Sequence, residues 1–325
     1  MVDGNKRIFT GLQPSGILHI GNYFGALKPV KELFESNEGL LMVADYHSLT
    51  TLKDAAQRRE NIISIVKDYL AAGVNLDNAI LFKQSDITEH TELAWIFETL
   101  VTVPFLELAH AYKDKVAKGL EANAGLFNYP MLMAADILLY DTDIVPVGQD
   151  QKQHVEYARE AAAKFNNAYG QTFKEPQEQI QTEVAIVPGT DGQKMSKSYG
   201  NTIPLFGTKE DITKAVMSIV TDSNPTIVPG KDGHSLGPAN LWSLHRLFKS
   251  TEELEPLYVA NQKNYKALKE DLIETIERFA APMRAKRDSI TDEEVKKVLA
   301  EGAAKAKAIA QAKMEDVRKK VGVTI

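Results

Sequence analysis

With 325 residues, 44% of them hydrophobic and 25% charged, the chain has the composition of a soluble globular polypeptide, with room for one large domain and a smaller one. The absence of cysteine excludes disulfides, Cys-ligated zinc and iron–sulfur clusters, and a formal net charge of −6 excludes a bulk basic field as the attraction for nucleic acid. No apolar run reaches the roughly 18 residues of a membrane span, and the polar start MVDGNKR does not read as a signal peptide, so a cytoplasmic protein with no membrane partner is expected.

The first half alternates short apolar runs with helical patterns. RIFTGL predicts a strand, and it runs into the Gly- and Pro-rich bend of GLQPSGILHIGN, residues 11–22. LLMVADY predicts a second strand. In DAAQRRENIISIVKDYLAAG, Ile62, Ile65, Val66, Tyr69 and Leu70 recur at helical spacing, and Gly73 is placed to end that helix. AILFKQS predicts a third strand, ELAWIFETLV and PMLMAADILLY helices, DIVPVG a fourth strand and QKQHVEYAREAAAKF a helix. Such alternation predicts a parallel sheet covered by helices, with ligands at the carboxyl ends of its strands.

After about residue 206 the strand signals fade. KEDITKAVMSIV, NLWSLHRLF, KALKEDLIETIERFA and DEEVKKVLAEGAAKAKAIAQAKMEDVRKK are amphipathic helix patterns, and the Pro/Gly-rich stretch 224–238 predicts a loop. The expected plan is α/β over residues 1–205 and a helical domain over 206–325, its last helix a candidate to pack back on the first domain.

Two strings carry chemistry. In the first, a strand enters a glycine-rich bend and then a helix, which turns free backbone N–H groups and a positive dipole end toward a ligand. Gly16 and Gly21 let a phosphate or ribose approach the backbone, and His19 and Asn22 share one face of the first turn as donors. A plain strand–turn–helix with a surface histidine is the bland alternative for PSG alone. The second string is DGQKMSKSYGN, residues 191–201. Lys194 and Lys197 stand three apart on a loop flanked by Gly189, Gly192 and Gly200, with Ser196 and Ser198 beside them. Two ammonium groups on a loop free to move suit the charge that develops on a leaving diphosphate.

His19-Ile20-Gly21-Asn22 resembles the HIGH element of class I aminoacyl-tRNA synthetases, with Asn in fourth place, and Lys194-Met195-Ser196-Lys197-Ser198 matches their KMSKS loop letter for letter. NYPMLMAADILLYDTDIVPVGQDQKQHVEYAR (128–159), GLQPSGILHIGNYFGAL and ADYHSLT resemble the tryptophanyl-tRNA synthetases across the first domain; in the helical domain the likeness rests mainly on VTDS (220–223). The resemblance implies a Rossmann-like parallel-sheet catalytic domain that includes the KMSKS loop, a C-terminal helical domain that reads the anticodon, and a homodimer.

It also implies site residues. Asp136, the one acid in PMLMAADILLY, would accept the indole N–H of L-tryptophan, a donor-only group for which a carboxylate is the complement. Such polar readout can reject a substrate lacking the group by factors on the order of 10⁴–10⁵. Met133, Phe9, Val145 and Val147 would box the indole, although core packing explains each of the four as well. Tyr129 and Gln151 would take the α-amino group, with Gln13 at the entrance and His47 on the wall; a satisfied core histidine accounts equally for His47.

Gln13, Pro14, Ser15, Gly21 and Asn22 would hold ATP, with Gly148, Gln149 and Asp150 at its ribose and Val187, Met195, Ser196 and Ser198 along the KMSKS side. The family commonly has Glu where Gln149 stands, and an amide still accepts a ribose hydrogen bond. His19, Asn22, Lys194 and Lys197 would be the catalytic groups, and Lys115, with Lys113 near it, matches a further phosphate lysine; a solvated helix face explains both as well.

The implied reaction has two steps. The tryptophan carboxylate attacks the α-phosphate of ATP, Mg²⁺-bound diphosphate leaves, and the terminal adenosine of tRNA(Trp), through its 2′-OH, then takes the aminoacyl group. No metal held by protein side chains is expected. A tyrosyl-tRNA synthetase, a small nucleotidyltransferase and a non-catalytic tryptophan or RNA sensor are the rival readings. MAADILLY with GQDQKQH speaks against the first, the helical half against the second and both intact motifs against the third. Lys263, Lys266, Lys269, Arg278, Arg284, Lys286 and Arg287 supply local positive charge for tRNA, interleaved with acids that favour a solvated surface as well.

Overall fold

Five strands form one parallel sheet in the computed structural model, which describes residues 6–119, 121–148, 152–180, 187–221, 227–229, 235–261 and 264–324. They are β1 (Arg7–Leu12), β2 (Glu38–Val43), β3 (Ala79–Lys83), β4 (Ile144–Val147) and β5 (Gln177–Ile180), in spatial order β3-β2-β1-β4-β5. Phe9 of β1 lies opposite Leu40 of β2, and Ile8 opposite Ile144 of β4. The strand order reverses at β1, which opens a crevice between β1 and β4 at their carboxyl ends.

Successive strand residues point to opposite faces, and both faces are covered. Ile8, Leu41, Val43, Leu81 and Ile144 enter one core; Phe9, Leu40, Met42, Phe82, Val145 and Val147 enter the other. Burial on both sides is why β2 reads as the unbroken apolar run LLMV. The first core is closed by α1 (Ile20–Asn22), which continues through the π-turn Tyr23–Leu27 into α2 (Lys28–Phe34), and by α4 (Ala55–Ala71), which follows the short α3 (Asp45–Ser48). On the other face lie α5 (Glu89–Glu98), α6 (Val103–Leu106), α7 (His110–Ala117), α8 (Ala124–Leu138) and α9 (Lys152–Tyr169).

The remaining helices are α10 (Lys209–Met217), α11 (Ala239–His245), α12 (Thr251–Ala260), α13 (Tyr265–Ser289) and α14 (Asp292–Val321). Val295 and Leu299 of α14 join the first core, whereas Ala306, Ala310, Met314 and Val317 join the second, so this helix crosses the edge of the sheet at β3. Gly302 makes the crossing possible: a Cβ there would stand 1.8 Å from the carbonyl oxygen of Leu81. Lys313–Asp141 and Lys67–Asp292, at 2.7 and 2.8 Å, fasten it to the turn after α8 and to α4.

Two features depart from the sequence-based expectation. β5 is spelled QEQI, and as an edge strand with a partner on one side only it lacks the apolar signal of the strands inside the sheet. Within 224–238, Ile227–Pro229 and Ser235–Pro238 pair as an antiparallel ribbon, β6 and β7, hidden by the surrounding Pro and Gly. Among the described residues no helix is long and apolar enough to cross a membrane.

Candidate active site

β1 delivers the chain into the bend of residues 12–19 at the mouth of the crevice. Gly16 sits at φ +89°, in the left-handed region that favours glycine. His19 caps α1: the Asn22 N–H donates to His19 Nδ1 at 3.2 Å, and the His19 N–H donates to Asn22 Oδ1 at 3.3 Å. The two residues expected to face a ligand thus first organise each other. Because Nδ1 accepts, the ring proton sits on Nε2. Burial, with the Lys197 ammonium second, lowers the His19 pKa to about 4, so the ring is neutral at pH 7.

The KMSKS loop, far away in the chain, lies directly on this bend. The Gly21 N–H donates to Met195 Sδ at 3.3 Å, and Lys197 Nζ donates to the Ser15 carbonyl at 2.8 Å. A Cβ on Gly21 would stand 3.0 Å from the His19 ring and 3.1 Å from Met195 Cβ, so a bare glycine lets the two motifs meet. Behind them, Ile20 N–H donates to Ile203 O at 3.0 Å and Leu205 N–H to Leu18 O at 3.1 Å. Partial burial lowers the Lys197 pKa from the ordinary lysine value, opposed by the Asp68 carboxylate.

Asn201 holds the loop in shape and was not singled out from the sequence. Only 2% exposed, it accepts the Ser196 N–H at 2.8 Å and donates to Asp191 Oδ1 at 2.7 Å and to the Lys194 carbonyl at 3.1 Å. The Ser196 and Ser198 hydroxyls stand 2.9 Å apart, and Lys194 points to solvent. Val187 packs in the first core and accepts the Met195 N–H at 2.9 Å; Pro14 is buried and Gln13 exposed.

A cavity of about 370 Å³ opens beside this bend, between the ends of β1, β2 and β4 and the inner face of α8. Phe9, Gln13, His47, Tyr129, Met133, Asp136, Val145, Val147 and Gly148, expected from scattered strings, all line it. Met42, Ala44 and His154 line it as well, without having been expected. Tyr129 Oη lies 3.2 Å from His154 Nε2, and burial, with Tyr157 second, raises the Tyr129 pKa to about 12, so its phenol stays protonated.

Asp136 is 1% exposed, and its carboxylate is surrounded by polar partners. His47 Nε2 is 2.7 Å from Oδ2, and Gln84 Nε2 donates to Oδ1 and Oδ2 at 2.8 and 3.0 Å. His90 Nδ1 lies 2.7 Å from Oδ1. Burial alone pushes the carboxyl pKa up, but the imidazoles of His90 and His47 outweigh it and hold the group at about 2. Asp136 is therefore an anion kept in an apolar wall.

Gln84 and His90 escaped the sequence reading. Gln84 follows β3 at its carboxyl end, the place where parallel sheets bind ligands, and that position was the available signal. His90 is supported in turn by Tyr140, whose Oη is 2.8 Å from His90 Nε2 and whose ring stacks on Phe9 at 5.9 Å between centroids.

Other expected residues are not gathered here. Lys115 is half-buried in α7 and Lys113 exposed, and neither lines the cavity. Gln149, Asp150 and Gln151 lie outside the described residues, as do Lys263 and, in VTDS, Asp222 and Ser223. Of the remaining basic residues, Lys266, Arg278 and Lys286 are exposed. Three turn inward instead. Lys269 donates to the carbonyls of Met217 and Ile219, Arg284 to Gly207 O, and Arg287 to Asp68.

Comparison with known proteins follows this geometry. The family model for tRNA synthetases class I (W and Y) matches residues 3–313. The tryptophan–tRNA ligase of Fusobacterium nucleatum is 47% identical over 98% of this chain and 98% of its own, and that of Rhodopirellula baltica 45% over 98% and 99%. Tryptophanyl-tRNA synthetase from Campylobacter jejuni, solved in complex with ADP and tryptophan, is 42% identical with a TM-score of 0.89, covering 97% of this chain and 99% of that one. The chain belongs to the class I tRNA synthetases of the tryptophan and tyrosine branch, and within it to the bacterial tryptophan–tRNA ligases.

Proposed function

We propose that this chain activates L-tryptophan with ATP, releasing diphosphate, and transfers the tryptophanyl group to the terminal adenosine of tRNA(Trp). The observation that carries the reading is the buried Asp136 carboxylate, held by His47 and Gln84 on the wall of an apolar cavity that opens onto two touching phosphate-type loops. The indole lies between Phe9, Met133, Val145 and Val147 with its N–H on Asp136. Tyr129, with Gln13 and Gln151, receives the ammonium group, and His47 orients Asp136 from the cavity side.

ATP enters with Mg²⁺ on its phosphates, which adds charge neutralisation there. This chain's own part is to hold the nucleotide. The backbone N–H groups at the start of the bend (Gln13, Ser15 and Gly16), the His19 Nε2–H and the Asn22 amide offer donors to the phosphates. Gly148, Gln149 and Asp150 take the ribose, Ser196 and Ser198 border the phosphates, and Lys115 is a further phosphate contact. Lys194 and Lys197 face the charge that grows as diphosphate departs. Lys197, now on the Ser15 carbonyl, exchanges that neutral acceptor for a phosphate oxygen. No side chain becomes covalently attached; position and charge supply the rate.

The helical region from α10 onward reads the anticodon, with Lys266, Arg278 and Lys286 as its outward cations. The working unit is a cytoplasmic homodimer. Supporting this is the exposure of Trp95, Val103, Leu108 and Val116 on α5 to α7, at 67, 60, 50 and 52%. Charging of bacterial tRNA by the purified chain tests the whole reading. Tryptophan and ATP together give acid-precipitable aminoacyl-tRNA, and tyrosine gives none. Charging with tyrosine, or none with either, refutes it.

A further inference from the structure

Asp68 belongs to neither motif and does not line the cavity, yet its carboxyl group is fully buried in the last turn of α4. A buried carboxylate needs partners. Oδ2 accepts the backbone N–H of Leu18 at 2.9 Å, and Oδ1 accepts Nε of Arg287 from the last turn of α13. Leu18 is the residue before His19, so one end of this bridge is the bend proposed to hold the ATP phosphates. The other end is anchored too: Arg287 Nη2 donates to Ser64 Oγ at 2.8 Å, and the guanidinium lies 5.5 Å from the Phe206 ring centroid. Arg284, one turn earlier, holds Gly207 O. Two arginines of one helix thus grip the bend before His19, through Asp68, and the segment leaving the KMSKS loop.

Stability alone is a poor explanation for such a pair. A buried ion pair is often no better than apolar residues of similar volume. What an apolar pair does not reproduce is the acceptor for Leu18 N–H, or the anion whose field reaches Lys197.

We propose that Asp68 and Arg287 form a positioning pair through which α13 seats the bend before His19 for ATP. The proposal rests on the reading of that bend as the ATP site. The test compares wild type, Arg287→Lys and the double variant Asp68→Leu/Arg287→Met. KM for ATP and for tryptophan come from ATP–pyrophosphate exchange, ATP affinity from equilibrium dialysis, and stability from thermal unfolding.

The double variant is expected to unfold within a few degrees of wild type while its KM for ATP rises about tenfold, the loss of roughly one charge-assisted hydrogen bond. KM for tryptophan stays within about twofold, and Arg287→Lys, which keeps the charge without the fork, shows a smaller rise in KM for ATP. A double variant with wild-type KM and affinity for ATP, or an equal rise in both KM values, overturns the proposal. If the double variant does not fold, Arg287→Lys decides: an unchanged KM and affinity for ATP overturn the proposal, a selective rise supports it. Should no protein catalyse exchange, the reading of the site fails; weaker ATP binding in the variants then still supports the pair, and equal binding overturns it.

Discussion

Asp136 and Lys197 stand at two ends of one crevice and are held in opposite ways. Around Asp136 everything is built: His47, His90 and Gln84 surround the carboxylate, Tyr140 backs His90, and Phe9 stacks on Tyr140. Lys197 has the Ser15 carbonyl as its hydrogen-bond partner, and its loop hangs on Asn201, Met195 and a few backbone contacts. An anion that chooses a substrate must be in place before the substrate arrives, because a misplaced acceptor discriminates against nothing. A cation that serves a developing charge must instead be able to move onto it. On the proposed reading, the same crevice holds a firmly built end that selects and a lightly held end that acts.

Three changes test that contrast, the largest first. Asp136→Asn puts an amide N–H₂ where the donors of His47 and Gln84 converge, and kcat/KM for tryptophan in amino-acid activation is expected to fall on the order of 10³-fold. A fall below tenfold breaks the claim that this anion reads the indole. Lys197→Ala is expected to slow adenylate formation about 10²- to 10³-fold while tryptophan affinity changes less than about twofold. Rapid-quench measurement beside equilibrium binding separates the two quantities, and an unchanged burst rate removes Lys197 from its role.

The third change is pH. His19 and His245 both have folded-state pKa values of about 4, lowered chiefly by burial; for His245 the Asp271 carboxylate opposes that shift. The unfolded chain binds their protons first, near the ordinary value of about 6.5, so their contribution is complete above that pH and is lost as pH falls toward 4. Each is worth on the order of 3 kcal/mol. Asp136 carries the same sign in a lower window, with a folded pKa of about 2; its contribution is present above the ordinary carboxyl value and disappears only as pH falls through about 2. Urea midpoints are therefore expected to fall between pH 7.5 and 5, and His245→Gln to remove about half of that fall. A flat profile contradicts the burial of both rings.

Much of this was legible in the sequence, for identifiable reasons. β1 to β4 announce themselves because strands buried on both faces need unbroken apolar runs, whereas the pocket lining by Phe9, Val145 and Val147 was legible only through the resemblance to the tryptophanyl-tRNA synthetases, since core packing accounts for the same residues. β5 was not legible, since an edge strand tolerates QEQI. Asp136 was conspicuous as one acid in an apolar helix. Its partners were not, because Gln84 and His90 reach it from separate elements only after folding. Arg287 shows the reverse error: its charge suggested an RNA-facing surface, whereas the structure turns it onto Asp68. A charge pattern does not tell which way a side chain points, and a buried acid in a distant helix is what decides it here.

The central claim is that Asp136 makes this crevice choose tryptophan for activation by ATP. Its most direct test is ATP–pyrophosphate exchange by the purified chain with tryptophan and with tyrosine, each supplied alone. Exchange that depends on tryptophan, with tyrosine at background, is the expected result; exchange with tyrosine only, or with neither amino acid, contradicts it.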